Sequence, residues 1–83
     1  MLYRLLVDLD AVEYLYGLNP AQRRRVLEHF QRLREFPTNL SLADRPDAEG
    51  KILHISFFED LSIYFWLDSA DRHVKVVRIE AKD

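Results

Sequence analysis

Residues 51 to 82 read as three β-rich runs, KILHISF, SIYFWLD and VKVVRIEAK, separated by the turns FEDL and SADRH. Turns this short oblige consecutive strands to lie side by side and antiparallel, so a three-stranded meander is the fixed part of any fold for this chain. At 83 residues there is room for one domain and one core, 1–83. The N-terminal half must therefore cover one face of that sheet.

The opening segment alternates Tyr3, Leu5, Val7 and Leu9 against Arg4, Leu6 and Asp8, which predicts a first strand with its apolar face inward. Asp10 stands three residues before Glu13, a capping-box spacing that opens a short helix AVEYLY, and Gly17 suits the left-handed residue that ends it. Asn19 and Pro20 are a cap and a first-turn proline for a second helix, PAQRRRVLEHFQRLREF, with Val26, Leu27, Phe30 and Leu33 on one stripe. Pro37 stops it. The polar segment PTNLSLADRPDAE reads as a loop with Leu40 and Leu42 tucked beneath it. The expected fold is α+β, in the order β-α-α-β-β-β, with an antiparallel sheet and two helices packed on one face.

Strand phase then divides the aromatic residues. Leu53, Ile55 and Phe57 alternate with His54, Ser56 and Phe58, and Leu61, Ile63, Phe65 and Leu67 alternate with Ser62, Tyr64, Trp66 and Asp68. Placing the wholly apolar sets together against the helices sends Phe57 and Phe65 to the core, and Phe58, Tyr64 and Trp66 to an open face. In the last strand Val77, Ile79 and Ala81 face inward and Arg78, Glu80 and Lys82 outward, while Val74 and Val76 break that parity and call for a bulge.

Twelve basic against 14 acidic residues give a net charge of −2, so a nucleic-acid role requires a local basic patch rather than a global excess. The chain has no cysteine, which removes disulfides, thiolate zinc sites and cysteine nucleophiles. It has no apolar run long enough to span a bilayer, and MLYRLLVDLD alternates instead of forming a leader's apolar region; a cytoplasmic protein with no membrane partner is expected. The three histidines fall on different elements without metal-ligand spacing, the two glycines form no phosphate loop, and no serine-triad signature is present. Neither a metal nor a cofactor is expected.

The open face so assigned collects His54, Ser56, Ser62, Tyr64, Trp66, Arg78, Glu80 and Lys82. An imidazole or carboxylate accepts a proton, a phenol or ammonium donates one, a guanidinium holds phosphate, and Tyr64 and Trp66 can stack on bases. Those are the parts for cleaving RNA through its own 2′-hydroxyl. The plainer reading is a solvated face, or a protein-docking patch made by Phe58, Tyr64 and Trp66. The basic run Arg23 to Arg25 reads first as a salt-bridged solvent face, since Arg24, Glu28 and Arg32 follow one another at i,i+4.

Over nearly its full length the chain resembles the RelE/ParE superfamily of bacterial toxin–antitoxin systems. The likeness is carried by YRLLVD, LNPAQRRRVLEHFQRLREFP, GKILHISF, DLSIYFWLD and VKVVRIEAK. It implies a toxin with an antitoxin partner, in the RelE-like case an endoribonuclease acting on mRNA at the ribosome. On that reading His54 or Glu80 is the base, Arg78 and Lys82 hold phosphate, Tyr64 stacks or donates a proton, and Trp66 contacts RNA. The sequence departs from the family pattern at Ser62, where an arginine is usual, and at Lys82, where another is expected. A ParE-like likeness instead implies protein binding through Phe58, Tyr64 and Trp66. A homodimer formed through the sheet face is a third possibility.

Overall fold

The computed structural model of the chain describes residues 2–82. Strand β1 (Arg4–Val7) leads into helices α1 (Leu9–Tyr16) and α2 (Pro20–Glu35). Strands β2 (Ala43–Pro46), β3 (Ile52–Phe58), β4 (Leu61–Asp68) and β5 (His73–Ala81) follow. They form one sheet in the order β1-β5-β4-β3-β2. From β2 to β5 every pairing is antiparallel, whereas β1 lies parallel to β5. The sheet is thus mixed. The tight turns dictate the meander, but β1 has no turn linking it to β5, so nothing local sets its direction.

The core fills the space between the helices and one sheet face. Ala11 and Leu15 of α1 and Val26, Phe30 and Leu33 of α2 pack on Leu61, Ile63 and Phe65 of β4 and Val74, Val76 and Ile79 of β5. The expected bulge lies at Val77: Arg78 pairs with Tyr64 and Val76 with Phe65, so Val77 has no partner. That extra residue lets Val74, Val76 and Ile79 face the helices despite their conflicting parity.

Helix α2 starts as its sequence predicts, with Pro20 in the first turn and the Gln22 amide donating to Asn19 Oδ1 at 2.8 Å. Helix α1 does not. It begins at Leu9, which is 70% exposed rather than inward, and Asp8 at the cap position makes no side-chain capping bond. Gly17 is right-handed (φ −79°). The carbonyls at the end of α1 are met from α2 instead: the Arg23 guanidinium donates to Leu15, Tyr16 and Leu18 oxygens at 2.9, 3.3 and 3.0 Å. This clasp adds donors to carbonyls at and just beyond the end of α1.

Two leucines depart from expectation. Leu27 is 45% exposed and Leu42 64% exposed, while Leu40 does pack against the core. The loop also contains β2, a polar edge strand ending at Pro46, where a proline is tolerated.

The largest correction concerns the phase of β3. Phe58 pairs with Leu61 across the two-residue turn Glu59–Asp60, so His54, Ser56 and Phe58 share a face with Phe65, Ile63 and Leu61. His54, Ser56 and Phe58 therefore face the helices, and Leu53, Ile55 and Phe57 the open side. The polar pair is accommodated by partners. His29 Nε2 lies 2.8 Å from Ser56 Oγ and its ring stacks on Phe58 at 4.6 Å. His54 stacks on Phe65 at 5.3 Å, with Nδ1 2.8 Å from Ser41 Oγ and 3.1 Å from Asp44 Oδ1.

Burial pushes the His29 imidazole below its usual range, and the Arg32 charge adds to this. The unfolded chain then takes up a proton near pH 6.5 that the folded chain resists. Stability is complete above that pH and falls as the solution is acidified through the lowered folded value. Thermal unfolding followed from neutral pH downward should show a steeper loss for the wild type than for His29→Gln, which retains a hydrogen-bonding group toward Ser56. Parallel slopes would reject this role for His29.

Candidate functional site on the open sheet face

The centre of the open face is Tyr64, on the middle strand β4, flanked in register by Ile55 and Arg78. Its hydroxyl donates to Glu80 Oε1 at 2.6 Å and accepts from an Arg45 guanidinium nitrogen at 3.0 Å. The Arg45 and Arg78 guanidinium carbons lie 5.1 and 4.4 Å from the Tyr64 ring centroid, and Tyr64 is only 6% exposed. Arg78 Nε approaches Glu80 Oε2 at 3.5 Å, and the side chains of Arg78 and Glu80 remain 51% and 47% exposed. A covered phenol thus orients an accessible carboxylate beside two guanidinium groups. Hydrogen bonds of this charge-assisted kind are roughly twice as strong as neutral ones, which favours one arrangement of the group.

The pattern of ring beneath cation repeats along the face. Lys51 and Lys75 lie 4.8 and 5.4 Å from the Trp66 ring centroid, and Lys82 lies 5.2 Å from that of Phe57. Five cations, Arg45, Lys51, Lys75, Arg78 and Lys82, therefore stand over three aromatic rings on one side of a chain whose net charge is −2. Acidic partners are few: Glu80 sits among them and Asp8 reaches Lys75 at 3.3 Å. This is a local basic patch of the kind that the overall charge conceals.

Of the residues singled out from the sequence, Tyr64, Arg78 and Glu80 come together, and Trp66 and Lys82 lie on the same face. His54 and Phe58 lie on the opposite face, toward the helices. Phe58, Tyr64 and Trp66 accordingly do not form one apolar surface: the first packs on His29 and the other two are covered by cations. Sequence reasoning missed Arg45, Lys51 and Lys75. Lys75 was findable, because it lies between Val74 and Val76, which both turn inward. Arg45 became visible only with β2, where it pairs with Leu53. No sequence signal marked Lys51.

The arginine-rich stretch of α2 serves largely as a clasp. Arg23 closes α1, Arg25 pairs with Glu59 at 2.7 Å, and Arg34 donates to the Tyr3 carbonyl at 3.0 Å. Among the described residues no ion pair joins Arg24, Glu28 and Arg32. Nor does any group of three or more His, Asp or Glu side chains among them present a metal site. Among the described residues no helix is long and apolar enough to cross a membrane.

A five-stranded mixed sheet of this order, with two helices on one face, is the RelE-like toxin fold. The chain superposes over 99% of its length on a chain of the RelBE2 toxin–antitoxin complex of Mycobacterium tuberculosis, covering all of that chain (TM-score 0.81, 16% identity). It matches the archaeal RelE–RelB complex of Pyrococcus horikoshii equally well (TM-score 0.81, 20% identity, 99% of this chain and 97% of that one). The intact RelBE complex of E. coli follows (TM-score 0.73, 16% identity, 98% and 96%). No protein-family model and no curated protein matches the sequence.

Proposed function

We propose that this chain is a RelE-like toxin that cleaves RNA on its open sheet face and is held in check by an antitoxin protein. The observation that carries the reading is the Tyr64–Glu80–Arg78–Arg45 group within a cationic, aromatic face. The full-length likeness to chains solved in toxin–antitoxin complexes supports both the toxin role and the partner.

In this scheme Arg78 and the flanking lysines hold the RNA backbone, and Trp66 and Phe57 offer ring faces to unstacked bases. The Glu80 carboxylate, fixed by Tyr64, removes the proton of a 2′-hydroxyl. The freed oxygen bonds to the adjacent phosphorus as the bond to the 5′-oxygen breaks. Arg78 offsets the charge that builds on the non-bridging oxygens. The departing 5′-oxygen takes a proton from the Lys82 ammonium, two residues further along the same face. The products are a 2′,3′-cyclic phosphate and a 5′-hydroxyl. One carboxylate without an imidazole makes alignment of the 2′-hydroxyl decisive, and mRNA held by a ribosome would arrive aligned.

Induced expression in a bacterial host tests the proposal when growth, total RNA and translation are read together. Growth arrest with cleaved mRNA is the expected result. Arrest with intact RNA would transfer the role to a protein target, and normal growth with soluble folded protein would remove the toxin reading.

Binding should also be salt-dependent. Four or five phosphate contacts predict that log K for an uncleavable 2′-deoxy-substituted RNA falls with log salt at a slope of about −3, and that each lost lysine reduces the slope by about 0.7. A flat salt response measured by titration would rule out the cationic face as the RNA-binding surface.

A further inference from the structure

Past Tyr64 the open face continues into a cavity of about 380 Å³, lined among others by Leu6, Lys51, Trp66, Asp68, His73 and Lys75. Trp66 stands two residues beyond Tyr64 on the same side of β4, about 7 Å along the strand. The Lys51 and Lys75 ammonium groups both stand over its ring, at 4.8 and 5.4 Å from the centroid. Its indole N–H is closed off from solvent without an acceptor. A buried donor left unpaired is unfavourable, so the folded chain alone leaves this corner of the face unsatisfied.

We infer that this pocket is a nucleotide subsite, in which one base stacks on Trp66 against Leu6 while Lys51 and Lys75 take the adjoining phosphate. The inference rests on the RNA-cleaving reading above and deepens it: the pocket selects the nucleotide lying beside the scissile bond. The match is chemical. A flat ring joined to an anion meets both the indole and the two ammonium groups, whereas inorganic phosphate lacks the ring and a nucleoside lacks the charge. Entry of a base displaces a lysine from the indole face. An exposed cation–π contact is weaker than base–aromatic stacking, and the displaced ammonium is then free to meet phosphate, so the exchange runs toward binding. Asp68 and His73 at the rim, and Asp8 against Lys75, are the remaining charged or titratable groups beside the site.

Trp66 is the only tryptophan, so fluorescence excited at the red edge of the absorption band, where the four tyrosines do not absorb, reports on this pocket. The full chain is titrated with each of the four nucleoside 5′-monophosphates, with the matching nucleosides, with inorganic phosphate and with an oligoglutamate peptide. At least one monophosphate should change the fluorescence saturably and bind about tenfold or more tighter than its nucleoside or phosphate alone. Replacing both lysines (Lys51→Ala with Lys75→Ala) should weaken that binding about tenfold or more, with thermal unfolding confirming the fold. No saturable change with any monophosphate overturns the inference. An equal or stronger response to oligoglutamate also overturns it, because the pocket would then read the acidic side chains of a protein partner. Nucleotide binding alongside intact cellular RNA keeps the pocket and removes the cleavage reading; RNA cleavage without nucleotide binding removes the pocket alone.

Discussion

Glu80→Gln is expected to lower RNA cleavage by about 10²- to 10⁴-fold, the usual contribution of a positioned general base. The substitution is nearly isosteric, and the amide oxygen can still accept the Tyr64 hydroxyl, so the group on the open face stays assembled. What is lost is the capacity to take a proton. Binding of uncleavable RNA should hold or tighten, because a negative charge beside phosphate has been removed. A variant that binds RNA well and cuts it poorly separates the chemical role of Glu80 from a structural one. If cleavage stays within about threefold of wild type, the proton acceptor lies elsewhere.

The second large effect is on stability. Phe65 is fully buried on the central strand and stacks on His54. Phe65→Ala should cost about 3–5 kcal/mol. Against a total stability of about 5–15 kcal/mol, and near the low end for so small a domain, that loss leaves the protein barely folded. Phe57 makes the contrast. Its sequence context places it in the core, but it is 39% exposed on the open face beneath Lys82. Phe57→Ala should therefore cost about 1 kcal/mol or less, the value of an exposed cation–π contact with modest burial. Urea unfolding of both variants tests the register of the β3–β4 hairpin. Similar losses for the two would mean that Phe57 is a core residue after all.

That hairpin also shows why the fold was more legible than the site. Turn lengths, the Asn19–Pro20 helix start and the parity break at Val74 and Val76 are local signals, and each has its expected counterpart in the structure. Hydrophobicity alone assigns the phase of β3 to the wrong faces. A two-residue turn makes Phe58 and Leu61 cross-strand partners, which puts His54 and Ser56 on the helix side regardless of polarity. What permits this lies far away in sequence: His29 for Ser56, and Ser41 with Asp44 for His54. The gathering of Tyr64, Arg78 and Glu80 followed from strand alternation. The cations Arg45 and Lys51 come from segments before β3 whose pairing no local pattern reveals, and the direction of β1 is hidden for the same reason.

Chemistry that resides on the open face and runs through the RNA's own 2′-hydroxyl leaves its mark on the products. Its most direct test is the chemistry of the RNA ends left when purified protein acts on mRNA in translating ribosomes. The expected products carry 5′-hydroxyl and 2′,3′-cyclic phosphate ends that vanish with Glu80→Gln and persist with His54→Ala. Ends bearing a 5′-phosphate, or cleavage that survives Glu80→Gln and is lost with His54→Ala, would contradict it.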